Sequence, residues 1–341
     1  MAQTANRLIW EEARKYLLSQ RGVTDEILDY HINLYQRVKP KSINDVYLRL
    51  IKTLTNKQGV RNWIGPICHL EPFFSNYSPM TMLSKYPDWE SFIDAIQASD
   101  FKAPAPIDKT SKRNTWVHFT KGAIDGAILL SHFKDVFEFN EFVLKYTQSG
   151  RHIELIEYVS KNIHWYGFAL SCDFLKELGY SDFIKPDTHI NTIFHGLGLS
   201  KTKDDRSVFR AAIEYSKSIN EVPYRVDKLF WLIGSGDFYL TQHLRNVNTD
   251  KFKFINDTRA KLKAKGYDVP IIIKENRKIK EKRVDQSHQQ RFRQLNELLT
   301  ELRRQNKISP EELREYKKKW EERPSLRDEI IQEMILSKEK S

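Results

Sequence analysis

Residues 163–198 read IHWYGFALSCDFLKELGYSDFIKPDTHINTIFHGLG. Within this stretch Phe168, Cys172, Leu175 and Leu178 recur at three- and four-residue steps, the spacing of one buried helix face, and Gly179 is suited to end it. A short link then reaches Lys185-Pro186-Asp187-Thr188-His189-Ile190. A second helix follows, with Ile190, Ile193, Phe194 and Leu197 on its apolar face and Gly196 and Gly198 as its stop. Asp187 opens that helix. Its local reading is an N-cap aspartate that accepts backbone N–H bonds, worth about 1 kcal/mol. The same geometry keeps a carboxylate ionised at the positive end of a helix dipole, where it can stabilise a cationic transition state, so capping and catalysis are compatible.

Outward from this stretch the periodicity stays helical and two-residue alternation is scarce, which makes the chain all-α. Upstream, Ile43, Val46, Tyr47, Leu50, Ile51 and Leu54 define one buried face, and Asn56-Lys57-Gln58-Gly59 ends that helix with Gln58 exposed. Alternating prolines between Ala103 and Pro106 mark a loop, Lys109 to Asn114 is polar, and a new helix begins near Trp116. Downstream, Val226, Leu229, Phe230 and Ile233 form the last helix of the body, and Gly234-Ser235-Gly236 reads as a turn. Phe292, Leu295, Leu299 and Leu302 space like a narrow coiled-coil seam, and Ser309-Pro310-Glu311-Glu312 starts a second arm carrying Leu313, Tyr316 and Trp320. The organisation is a body over 1–250, with N-terminal helices in 1–40 and a core in 40–240, then a basic linker or arm over 251–291 and a C-terminal helical hairpin over 292–341.

The chain of 341 residues is 40% apolar and 12% aromatic, too rich in core material for a disordered protein. Two cysteines, Cys68 and Cys172, exclude a disulfide framework and a four-thiolate metal site. No stretch has the roughly eighteen uncharged apolar residues of a membrane span, and Met1 to Arg7 runs into Glu11-Glu12 instead of a signal-peptide apolar region. The expectation is an intracellular protein, cytoplasmic in a prokaryote or nuclear in a eukaryote. The net charge is +11, and residues 251–293 hold 14 basic and 5 acidic side chains, which favours a polyanionic partner. That segment reads either as a phosphate clamp or as a solvated linker. Phosphate-cradling glycine loops, a His-Glu-x-x-His pattern and serine or cysteine nucleophile motifs are all missing, so neither a metal nor a cofactor is expected.

The run from Tyr166-Gly167 through the helix and link to Asp187-Thr188-His189-Ile190 resembles the core of the helix-hairpin-helix DNA glycosylases, the endonuclease III superfamily. Asp187-Thr188-His189-Ile190 is similar to the family's motif around its catalytic aspartate, and the twenty residues from Gly167 to Asp187 agree with the family's spacing. Leu50 to Gln58 resembles the early helix that ends in a glutamine filling the gap left by a flipped base. The resemblance covers roughly residues 40 to 240. Two positions depart from the family pattern. The hairpin, usually Leu-Pro-Gly-Val-Gly, reads Ile163-His164-Trp165-Tyr166-Gly167, and Ala169 stands where bifunctional members carry a Schiff-base lysine, a role for which Lys161 and Lys176 are the nearest substitutes.

The resemblance implies two helical units, the second built from the chain's flanks, with double-stranded DNA in the cleft between them. It implies base excision repair by a monofunctional glycosylase that flips a modified or mismatched base and hydrolyses its N-glycosidic bond, leaving an abasic site. Asp187 would be the catalytic carboxylate and Gln58 the wedge. Trp165, Tyr166, Gly167 and His189 would contact DNA. Trp116 and Trp231, with Trp165 and Tyr166, are the aromatics suited to a base pocket, against the plainer alternative that each is core. His164, His189 and His195 read as hydrogen-bonded structural histidines rather than acids or ligands. The C-terminal hairpin serves self-association or packs back on the body. Two rivals stand beside the enzyme: a non-catalytic DNA reader on the same scaffold, and a helical interaction scaffold recruited through residues 292–336.

Overall fold

The computed structural model describes residues 2–57, 59–267 and 309. Gln58, most of the basic arm and all of the C-terminal hairpin except Ser309 lie outside the described residues. Chain contacts separate residues 1–271 from 272–341. Among the described residues every regular element is helical and belongs to the first of these units. None of these helices is long and apolar enough to cross a membrane.

In chain order the α-helices are α1 (Ala2–Leu18), α2 (Asp25–Ile32), α3 (Ile43–Leu54), α4 (Val60–Ile64), α5 (Pro79–Lys85), α6 (Trp89–Gln97) and α7 (Thr115–Ser131). They continue with α8 (Val136–Gln148), α9 (His152–Asn162), α10 (Phe168–Glu177), α11 (Thr188–Gly196), α12 (Asp205–Ser218), α13 (Pro223–Ser235) and α14 (Lys251–Ala264). Most start on a side chain that satisfies the orphan amides of the first turn. Ser42 and Asp45 form a capping box at α3, Asp135 caps α8 and Asp204 caps α12. Left-handed glycines serve as stops at Gly179, Gly198 and Gly236, where a Cβ would be strained.

These helices bury two apolar cores. The first draws on the middle of the chain, α3 to α10, with Tyr47, Leu50, Phe74, Phe92, Trp116, Phe119 and Phe174 fully enclosed. The second joins the flanks: Ile9, Leu17, Leu28 and Ile32 from the N-terminal side pack with Ile190, Phe194, Phe230, Phe238 and Phe254 from the C-terminal side. Full burial of each such side chain contributes about 1.5–3 kcal/mol, and the packing is joined by polar contacts such as Asn6 on Ser218, Arg7 on Ile219 O and Lys261 on Glu12, so the amino terminus is locked to the C-terminal helices. The chain passes from one core to the other between consecutive residues, since Phe183 is buried in the first and Ile184 in the second. Lys185-Pro186-Asp187 follows at once.

Two expectations need correction. Gly234 and Ser235 belong to α13, and only Gly236 turns, with φ +67°. Residue 251 does not begin a linker: Asp250 caps α14, whose Phe254, Ile255 and Leu262 enter the second core, because an apolar stripe is present beneath the lysines.

Candidate functional site

Asp187 caps α11 with φ −85° and ψ −179°. Its Oδ1 accepts from the backbone amides of His189 at 2.8 Å and Ile190 at 3.0 Å. No hydrogen bond from a described residue reaches Oδ2. The side chain is half-buried. One oxygen is therefore spent on the helix, and among the described residues the other is not.

The link that carries Asp187 is held from behind. Asp227 on α13 accepts the backbone N–H of Lys185 at 2.7 Å through Oδ1 and the Lys176 ammonium at 2.7 Å through Oδ2. Lys185 Nζ donates to Asp173 Oδ2 at 3.1 Å, and Asn56 Nδ2 donates to the same oxygen at 2.8 Å. Lys228 Nζ completes the network on Glu177 at 2.8 Å and the Tyr239 hydroxyl at 2.9 Å. Burial penalises every charge here, but opposite charges outweigh it at key points. Lys185 and Lys176, with Asn56 donating, hold the Asp173 carboxyl well below its usual range, and Asp227, Asp173 and Glu177 keep Lys176 firmly protonated. The Lys176 side chain is only 4% exposed. A buried, charged amine is not a nucleophile, so Lys176 is withdrawn as a substitute for the missing Schiff-base lysine. Lys161 is exposed on α9 and Ala169 stands on the first turn of α10.

His189 lies beside Asp187 and packs on Gly234, where any added Cβ would come within 2.4 Å of the histidine Cβ. Its Nδ1 stands 3.3 Å from Lys251 Nζ. Burial lowers the His189 pKa, against the pull of Asp187 and with help from Lys251 and Lys185. A protonated Lys251 can only donate, so Nδ1 accepts and the imidazole proton sits on Nε2. Burial also raises the pKa of Asp205, bonded to Asn191 and facing the charges of Asp204 and Asp187. The surroundings of Asp187 therefore combine lysines 185 and 251, one neutral imidazole and a second carboxyl.

The hairpin departs from its expected form in an instructive way. Trp165 takes φ +73°, the left-handed region, at the position of the family pattern's first glycine. Gly167 instead has φ −99°, and a Cβ placed there would meet nothing within 4 Å. The conformation that favours glycine is kept while the glycine is not. Gly167 is exposed and is the N-cap of α10, where no side chain of a described residue bonds the first-turn amides.

The other sequence-derived residues divide. Trp116 is fully buried in the first core, with its indole N–H donated to Ala105 O at 3.2 Å, and Tyr166 is buried with its hydroxyl on Leu50 O at 2.9 Å. Both are withdrawn as pocket walls, because a buried ring whose polar atom is satisfied has no face to offer. Trp231 is half-buried against the second core, edge-on to Tyr239 at 5.9 Å. His195 Nδ1 lies 3.3 Å from Ser200 O, and His164 Nε2 lies 2.9 Å from His118 Nδ1, both in structural contacts. Two concavities, of about 510 Å³ around Arg7 and Glu221 and about 400 Å³ around Phe101 and Pro104, do not include Asp187 in their linings. Lys185, Asp227, Asp173 and Gly234 were missed by sequence reasoning; the alternation of Asp173, Lys176 and Glu177 on one helix face was the available signal.

No family model, curated protein or solved structure matches the chain.

Proposed function

We propose that this chain is a monofunctional DNA glycosylase of helix-hairpin-helix architecture, with Asp187 as its catalytic carboxylate. The observation that carries the reading is the Asp187 carboxylate itself: one oxygen bound by two helix amides, the other without a hydrogen bond among the described residues, on a link pinned between two helical cores. The division into a core from the middle of the chain and a core from both flanks supports the architecture.

Cleavage of the C1′–N bond sends its electron pair to the departing base and leaves an oxocarbenium-like sugar. A fixed carboxylate beneath that sugar stabilises the developing positive charge without reorganising, and orients the water whose oxygen forms the new bond to C1′. The water gives up one proton and the base gains one, so atoms and charge balance. Ala169 provides no amine for a covalent imine, and the strand is left intact at an abasic site. The open amides of α10 behind Gly167 suit a backbone phosphate, since a helix N-terminus presents unpaired donors and positive potential.

The withdrawal of Trp116 and Tyr166 into the core favours one alternative, a DNA reader that retains the scaffold without excising a base. Duplexes carrying alkylated, oxidised, deaminated, mismatched or hypermodified bases, incubated with the protein and then treated with alkali, separate the two. Strand breaks after alkali on at least one substrate are the expected result. Binding without breaks on any of them assigns the reader.

A further inference from the structure

Trp165 is a bulky residue in a backbone region that penalises side chains, and such strain persists where the surroundings over-determine it, commonly at sites that bind. The surroundings here are specific. His118, Gly122 and Asp125 lie along one stripe of α7 and seat the hairpin: Asp125 Oδ2 accepts the His164 N–H at 2.8 Å, and Gly122 leaves room for the His164 carbonyl, which a Cβ would approach to 2.7 Å. His118 Nδ1 and His164 Nε2 are 2.9 Å apart, so one ring donates to the other. The two imidazoles lie nearly in one plane, centroids 5.2 Å apart at 14° as an edge-to-edge hydrogen bond requires, and His118 is near-parallel to Trp165 at 4.9 Å and 19°. Lys57 Nζ sits 4.5 Å from the Trp165 ring centroid, and all three rings are half-buried.

We infer that Trp165 is the end of a stacking platform for one unpaired nucleotide of a DNA strand, with Lys57 leaving the indole to meet that nucleotide's phosphate. The inference rests on the proposed DNA partner and adds the kind of nucleotide and the residue that holds it. Three features select a nucleobase: flat rings already aligned, cationic side chains at Lys57 and Lys121 beside the histidine pair, and a flexible ammonium as the cover over the terminal ring. Bases of any sequence stack on an aromatic face, whereas an ammonium over an indole is readily exchanged for a base with a phosphate nearby. Lys57 also directly precedes, in the sequence, Gln58, the residue expected to fill the gap in the duplex.

The test compares, for the full chain, affinity for a plain duplex with affinity for the same duplex carrying one bulged 2-aminopurine, whose fluorescence is quenched on stacking. The native protein is expected to prefer the bulged duplex by roughly tenfold or more and to quench the probe. Trp165→Gly keeps the left-handed backbone and removes the ring, so its bulged-to-plain ratio should fall to about one, with a melting temperature within about 5 °C of the parent. Trp165→Phe should retain part of the preference, and it carries the test if the glycine variant fails to fold. An unchanged ratio and unchanged quenching in both variants, or no preference in the native protein, overturns the platform while leaving duplex binding intact. Absence of binding to either duplex overturns the DNA reading and the platform together.

Discussion

Single side chains decide what the site offers, and glycine shows how. Gly234 has no room for a Cβ, since His189 lies against it, whereas Gly167 has open space and an ordinary φ. Gly234→Ala should therefore cost about 1–3 kcal/mol and displace His189. Gly167→Ala should cost less than about 1 kcal/mol, the difference between glycine and alanine at an N-cap. Urea titrations of the two variants check this, and an equal or reversed order would contradict the packing of α13 on α11. The sequence pointed the other way, with Gly167 as the hairpin glycine and Gly234 as a turn, because local spacing cannot report which neighbour a residue will face. Asp187 was legible for the opposite reason: capping acts within three residues, so a proline-aspartate step before an apolar helix announces it.

At the level of elements, junctions between helices rely on polar groups that must be in one protonation state. His31, 1% exposed at the end of α2, donates from Nδ1 to Ile27 O at 2.8 Å and accepts the Leu240 N–H on Nε2 at 3.2 Å. Both bonds are made by a neutral ring, and burial lowers the His31 pKa. An unfolded histidine titrates near 6.5, so below about that pH the unfolded chain binds more protons and stability falls until the folded pKa is passed. His118, His164 and His189 shift in the same direction, again chiefly through burial. Urea midpoints should be lower at pH 5.5 than at pH 7.5, with each histidine adding at most about 1.4 kcal/mol per pH unit, and His31→Gln should narrow the gap. Equal midpoints would contradict the assignment. The apolar faces of α3, α11 and α13 were readable from three- and four-residue steps. The network of Asp173, Lys176, Asp227 and Lys228 was not, because charges at those spacings describe a solvated face equally well until two cores close over them.

For the whole molecule, the all-helical class followed from periodicity and a second helical unit from the flanks was what the family resemblance implied, while the role of residue 251 onward followed from neither, since a lysine-rich composition hid the stripe that docks α14. A net charge of +11, concentrated in residues 251–293, predicts that DNA affinity drops steeply with salt. A log–log slope of about −4 or steeper is expected if four or more phosphates are neutralised, and a flat dependence would contradict a DNA partner. The central claim is tested most directly by Asp187→Asn, because asparagine caps a helix as well as aspartate does and removes only the charge. On whichever modified-base duplex the native protein excises, the variant should bind with the native Kd and lose excision by about 100-fold or more under single-turnover conditions. Excision by the variant at the native rate would contradict the assignment of Asp187.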